Sequence, residues 1–174
     1  MGELDEAWEL ALAEAAQRAR TAGRADIADY LDLRAQNDLL RRTAIDWLTN
    51  TVISLAADAN RGGAGIQIEQ KDAHSFRRGH ATMVGPQLTL RSGVRALTIE
   101  SGWPRTPRDG FVRGGGLACA DIKHFGRQRS NAELLLALSS SGAPQWLLLE
   151  QTGATPLFTE AQIRKHFSVL LTES

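Results

Sequence analysis

RADIADYLDLRAQNDLLRRTAIDWLTNTVISLAADANR, residues 24–61, runs for 38 residues without a glycine or a proline. Those are the two residues that weaken a helix interior most, so a helix is the expected state of the whole stretch. Ile27, Leu31, Leu40, Ala44, Trp47, Leu48, Thr51 and Leu55 sketch an apolar stripe along it, and Gly62-Gly63 supplies the stop. At 1.5 Å per residue the helix would be about 57 Å long, against a diameter of about 40 Å for a compact chain of this size. It must either bend, with the polar triplet Gln36-Asn37-Asp38 as the natural place, or project. A projecting amphipathic helix has to bury its stripe, and a second copy of the same chain, in a four-helix or coiled-coil dimer, is the economical cover.

Upstream, Leu4 to Ala22 again lacks glycine and proline, and Leu4, Trp8, Ala11, Ala15 and Ala19 share one helical face before Gly23. Residues 1–61 therefore read as a helical arm that oligomerises.

After Gly62-Gly63 the pattern changes to short apolar or alternating runs bounded by Gly, Pro, Ser or Asn: 66–70, 80–85, 87–92, 94–101, 117–125, 133–139 and 145–151. Short connectors between them suit hairpins. The runs at 133–139 and 145–151 are apolar on both faces, which points to the centre of a sheet. Thr159 with Gln162 three residues on forms a capping box opening a last helix to Leu171. The expected fold is α+β: an N-terminal helical hairpin with one long helix, a mostly antiparallel meandering sheet of about five to seven strands, and a closing C-terminal helix. Residues 62–174 hold the sheet and last helix, and arm and sheet form one structural domain.

The 174 residues are 43% hydrophobic and 23% charged, which suits a packed globular chain. The net charge is zero but unevenly laid out. Residues 1–60 hold 11 acids against 6 bases, residues 61–130 hold 12 bases against 5 acids, and residues 131–174 hold 2 bases against 4 acids. One cysteine, an acidic N-terminus without an apolar leader core, and no apolar run near membrane length together suggest a cytoplasmic protein without a membrane partner.

The connection from Ser101 to Gly116 is the longest in the sheet region, and loops of that length usually bind or cover something. It carries Trp103, Arg105, Arg108, Phe111 and Arg113. Arginine forks beside aromatic rings suit a small anionic ligand or a partner's carboxylates. Gly114-Gly115-Gly116 could cradle an anion, but no helix follows them, so a turn or a close backbone approach explains them better.

Asp121-Ile122-Lys123, with Asp109 upstream and Glu100 ending the preceding strand, resembles the acid and acid-x-Lys pattern of restriction-endonuclease-like folds. The resemblance implies carboxylates holding Mg²⁺ or Mn²⁺ for phosphodiester cleavage; otherwise no cofactor is expected. The pattern departs from that family in lacking an adjacent proline and a following helix. Strand alternation puts Cys119, Asp121 and Lys123 on one face and Ala118, Ala120, Ile122 and His124 on the other, so Cys119 and His124 cannot act as nucleophile and base. Arg77, Arg78, Arg91, Arg95 and Arg129 would add to a basic sheet rim able to hold nucleic acid, although aromatic platforms are scarce. The reading that joins these observations is a non-catalytic homo-oligomer with a ligand or partner site on the 101–116 loop. A metal-dependent phosphodiesterase or nuclease and a nucleic-acid binder are the alternatives.

Overall fold

A computed structural model describes residues 3–172. Helix α1 (Glu3–Thr21) turns at residues 22–24 into α2 (Ala25–Arg61), a single unbroken helix of 37 residues and so about 55 Å long. The polar triplet does not interrupt it. Asp38 is 1% exposed, and its carboxylate accepts a hydrogen bond from Trp8 Nε1 of α1 at 2.8 Å and from Arg41 at 2.6 Å. A polar residue with both oxygens engaged is stable inside a helix hairpin, whereas the same residue unpartnered would cost about 1–3 kcal/mol. Arg42 is likewise buried and ion-paired with Glu9 of α1, and Arg20 pairs with Asp32, so polar contacts line the α1–α2 seam beside Leu12, Ala16 and Ala28.

The two halves of α2 face different surroundings. Ala44, Ile45, Leu48, Val52, Leu55 and Ala56 recur at helical spacing and are buried in the main core, while the N-terminal half is covered by α1. At the end of α2, Asn60 donates its side-chain amide to Ile66 O and accepts from Ile66 N, which hands the chain directly to the sheet.

Six strands follow: β1 (Gln67–Arg78), β2 (Ala81–Ser92), β3 (Arg95–Gly102), β4 (Ala118–His124), β5 (Ala132–Leu138) and β6 (Pro144–Leu148). They lie in that order in one sheet, every neighbouring pair antiparallel. Helix α3 (Glu160–Leu171) closes the chain on a capping box between Thr159 and Gln162. The α+β arrangement expected from the sequence is the one observed, with differences in three places.

The runs 80–85 and 87–92 are one strand across Pro86. Proline is tolerated because it sits in a gap of both ladders: opposite it on β1 is a bulge, Asp72 and Ala73 lying between the pairs Lys71–Gln87 and His74–Gly85, and the regular β3 pairing stops at Gln87–Glu100. Strand β1 also continues to Arg78, well past the five residues its apolar pattern marked. Finally, 145–151 is not central: β6 is a short edge strand whose outer side is occupied by residues 156–158, through Leu148 N to Pro156 O and Phe158 N to Trp146 O. That cover explains its apolar character.

One sheet face, with Leu88, Leu90, Leu97, Ile99, Ala120, Ile122, Leu134, Leu136 and Trp146, packs under α2 and α3. The opposite face is crossed by the sheet's own first hairpin. At Gly85 and Gly102 the strands pass so closely that a Cβ on Gly85 would lie 1.9 Å from Ser101 O and one on Gly102 2.3 Å from Val84 O. Only glycine fits either position. Beyond the crossing, Val84 and Trp103 exchange backbone hydrogen bonds at 3.2 and 3.3 Å. The far half of the hairpin then lies over the second face, where Phe76, Ala81 and Met83 form a small core with Cys119.

Candidate functional site

Residues 103–116 fold against the N-terminal half of α2, with two short 3₁₀ turns at Pro107–Asp109 and Arg113–Gly115. Trp103 is 3% exposed, its ring overlaid by the Arg105 guanidinium at 3.7 Å and approached from α2 by Arg41 at 5.9 Å. Arg105 also pairs with Asp5 of α1 at 2.6 Å and donates to Val84 O. Arg34 donates to Arg105 O, and Arg41 Nε donates to Leu117 O at 2.7 Å. These arginines tie loop, arm and sheet together rather than reaching for a ligand. The third glycine of the RGGG run serves the same docking: a Cβ on Gly116 would lie 2.3 Å from a Leu135 methyl carbon and 2.9 Å from Leu136 O.

What this scaffold leaves is a cleft of about 350 Å³ between α2 and the loop. Tyr30, Leu33, Arg34, Asn37 and Arg41 line it from the helix, and Trp103, Pro104, Pro107, Phe111 and Val112 from the loop. Phe111 is 81% exposed, Tyr30 61% and Leu33 56%, so large apolar groups stand at its mouth. Of the residues expected to bind a ligand, Trp103 and Phe111 line the cleft, and Arg105 is committed to Asp5. Arg108 and Arg113 are exposed outside the lining and, among the described residues, form no ion pair.

The acidic residues of the nuclease-like pattern lie on two different structures. Asp109 accepts from Thr106 N and Oγ1 and caps the first 3₁₀ turn. Glu100 and Asp121 are cross-strand neighbours on the second sheet face, where the alternation placed Asp121. Glu100 is 7% exposed; its carboxylate takes Lys123 Nζ at 3.1 Å and contacts His74 Nε2 at 3.1 Å and Gln87 Nε2 at 3.3 Å. Burial alone would raise the Glu100 carboxyl, but Lys123 and His74 outweigh it and hold it below the ordinary glutamate value. Asp121 is ion-paired with Arg78, whose guanidinium also donates to Ala120 O and Leu134 O. Both carboxylates are thus paired with cations, and among the described residues no three His, Cys, Asp or Glu side chains are grouped to hold a metal ion.

Cys119 lies on this face, fully buried, and burial pushes its thiol up to about 11, which makes it a poor nucleophile. His124 faces the other way, as expected, and its Nε2 is 2.8 Å from Nδ1 of His166 on α3, the rings stacked. Burial, with His124 adjacent, takes His166 down to about 4; burial and Arg127 lower His124.

His74, Gln87 and Arg78 are the polar residues that sequence reasoning did not join to Glu100 and Asp121. The joining depends on the β1 bulge and the strand crossing. The same-parity run His74, Phe76, Arg78 was the only local signal.

Comparison with protein-family models, with curated proteins and with solved structures finds no match to this chain.

Proposed function

We infer that this protein is a non-catalytic binding protein that pairs with a second copy through its helical arm, the cleft beside the 103–116 loop forming the centre of the contact. One observation carries the reading. Ile27, Tyr30 and Leu33 recur along a single face of α2, stay exposed despite α1, and continue across the cleft mouth into the exposed ring of Phe111. A surface of this kind, aromatic at its centre, is what association sites offer and what isolated surfaces avoid.

A second copy is the fitting occupant because the charges around the patch complement themselves. Exposed acids, among them Glu6, Asp26 and Asp29, lie on the arm, and exposed Arg108 and Arg113 on the loop. A two-fold contact would set each arm against the other copy's loop. The single buried cysteine suits a reducing compartment, in keeping with a cytoplasmic setting. Among the described residues no helix is long and apolar enough to cross a membrane.

Sedimentation equilibrium tests the reading: the intact chain is expected to be dimeric at tens of micromolar, and Tyr30→Asp or Leu33→Asp to raise the dimer Kd roughly thirty-fold. A wild-type chain that stays monomeric across that range removes the proposal.

A further inference from the structure

Away from the arm, the second sheet face holds a separate cleft of about 320 Å³ lined by residues of β1, β2 and β3 and by Phe125. That volume lies at the lower end of the ~300–1,000 Å³ usual for small-molecule sites. Thr89 and Thr98 are directly cross-strand partners on its floor. Among the described residues neither hydroxyl has a hydrogen-bond partner, although both are only partly exposed. Lys71 lines one side with no ion pair among those residues, and Arg91 lines another, 57% exposed and only loosely held by Glu69 at 3.8 Å. Phe125 is 75% exposed at the rim, fixed at its backbone by the bond from its N to Ala96 O. The inner wall is Gln87, whose amide is anchored on Glu100 and His74 in the network described above.

Two free hydroxyls, the unpaired Lys71, the loosely paired Arg91 and an exposed aromatic face line one shallow cleft. Together they match a ligand with sugar hydroxyls, a phosphate and a flat ring. We propose that this cleft binds a mononucleotide, its phosphate on Lys71 and Arg91, its ribose over Thr89 and Thr98, and its base on Phe125. Local charge favours the free nucleotide over a nucleic-acid strand. Lys71, Arg91 and nearby Lys123 face Glu69 and Glu100, leaving a single net positive charge, enough for one phosphate and too little for the multi-phosphate contacts that bind a polyanion.

Isothermal titration of the full chain decides it, with AMP, adenosine, inorganic phosphate and a short oligoadenylate as probes. AMP is expected to bind with a Kd of about 1 mM or tighter, and adenosine and phosphate each more weakly. Phe125→Ala is expected to weaken AMP about tenfold and leave phosphate unchanged. Lys71→Ala and Arg91→Ala weaken both. All three side chains are exposed, so folding is expected to survive; should Phe125→Ala fail to fold, Phe125→Leu keeps the apolar bulk and loses the stack. No saturation by AMP up to about 10 mM overturns the proposal, as does AMP affinity indifferent to Phe125. Oligoadenylate binding far tighter than AMP, with a steep salt dependence, overturns it in favour of a nucleic-acid groove.

Discussion

Gly102 is where a single hydrogen atom decides the path of two strands. A Cβ there would sit 2.3 Å from Val84 O and 2.5 Å from Val84 C, backbone atoms that cannot rotate away. Gly102→Ala is therefore expected to cost more than about 3 kcal/mol in urea unfolding; a loss under about 1 kcal/mol would show that the strands part freely at the crossing. Arg78 gives a second test on the same hairpin. Its side chain is 15% exposed and that of Asp121 12%, so Arg78→Met leaves a nearly buried carboxylate unpaired, a loss expected at about 2–4 kcal/mol. Adding Asp121→Leu should recover most of it, because removing both members of a buried pair is far milder than removing one. Alternation alone assigned Asp121, Lys123, Cys119 and His124 to their faces correctly, since side-chain direction along a strand is a local property. Which cation each acid meets was not legible, because Arg78 reaches Asp121 across 43 residues through the crossing.

The seam between β4 and α3 is sensitive to protons. His124 and His166 both titrate lower in the folded chain than in an unfolded one, so the folded state binds fewer protons in the window between. Their stabilising contribution is complete above the unfolded imidazole value of about 6.5 and shrinks as pH falls from there toward the folded His166 value of about 4. Guanidinium midpoints at about pH 7.5 and about pH 5 should differ by on the order of 2 kcal/mol of stability, and His166→Asn should flatten that difference. An unchanged slope in the variant would assign the loss elsewhere. Elements of this kind were legible to different degrees. The long helix and the capped last helix were read from unbroken spacing and the Thr159–Gln162 pair. Pro86 misled because a proline normally ends a central strand, and only the facing bulge, a pairing property, permits it here. Strand β6 misled because residues 156–158, which cover its edge, carry no strand pattern of their own.

The charge layout of the whole molecule adds to the apolar patch in the proposed dimer. Acid on the arm against arginine on the loop predicts that the dimer Kd rises as ionic strength goes from about 0.05 to about 0.5 M. The double change Arg108→Glu, Arg113→Glu should weaken association at low salt and remove most of that salt dependence. Salt-independent dimerisation would mean that the apolar patch acts alone. Zero net charge gave no hint of this division; the segment-by-segment count did.

The strict β1-to-β6 order has a kinetic consequence. Each strand is hydrogen-bonded to its neighbour in sequence, so the sheet can be assembled hairpin by hairpin through local loop closures, the 15 residues between β3 and β4 being the longest of them. The bond from Trp146 Nε1 to Ala44 O, at 3.0 Å, instead joins residues 102 apart. Closing that seam, like the docking of Arg105 on Asp5 across 100 residues, is a long-range event of folding. Trp146, buried at 3% exposure against α2, should report it as a fluorescence phase that is lost in Trp146→Phe and is slower than the gain of strand signal in circular dichroism.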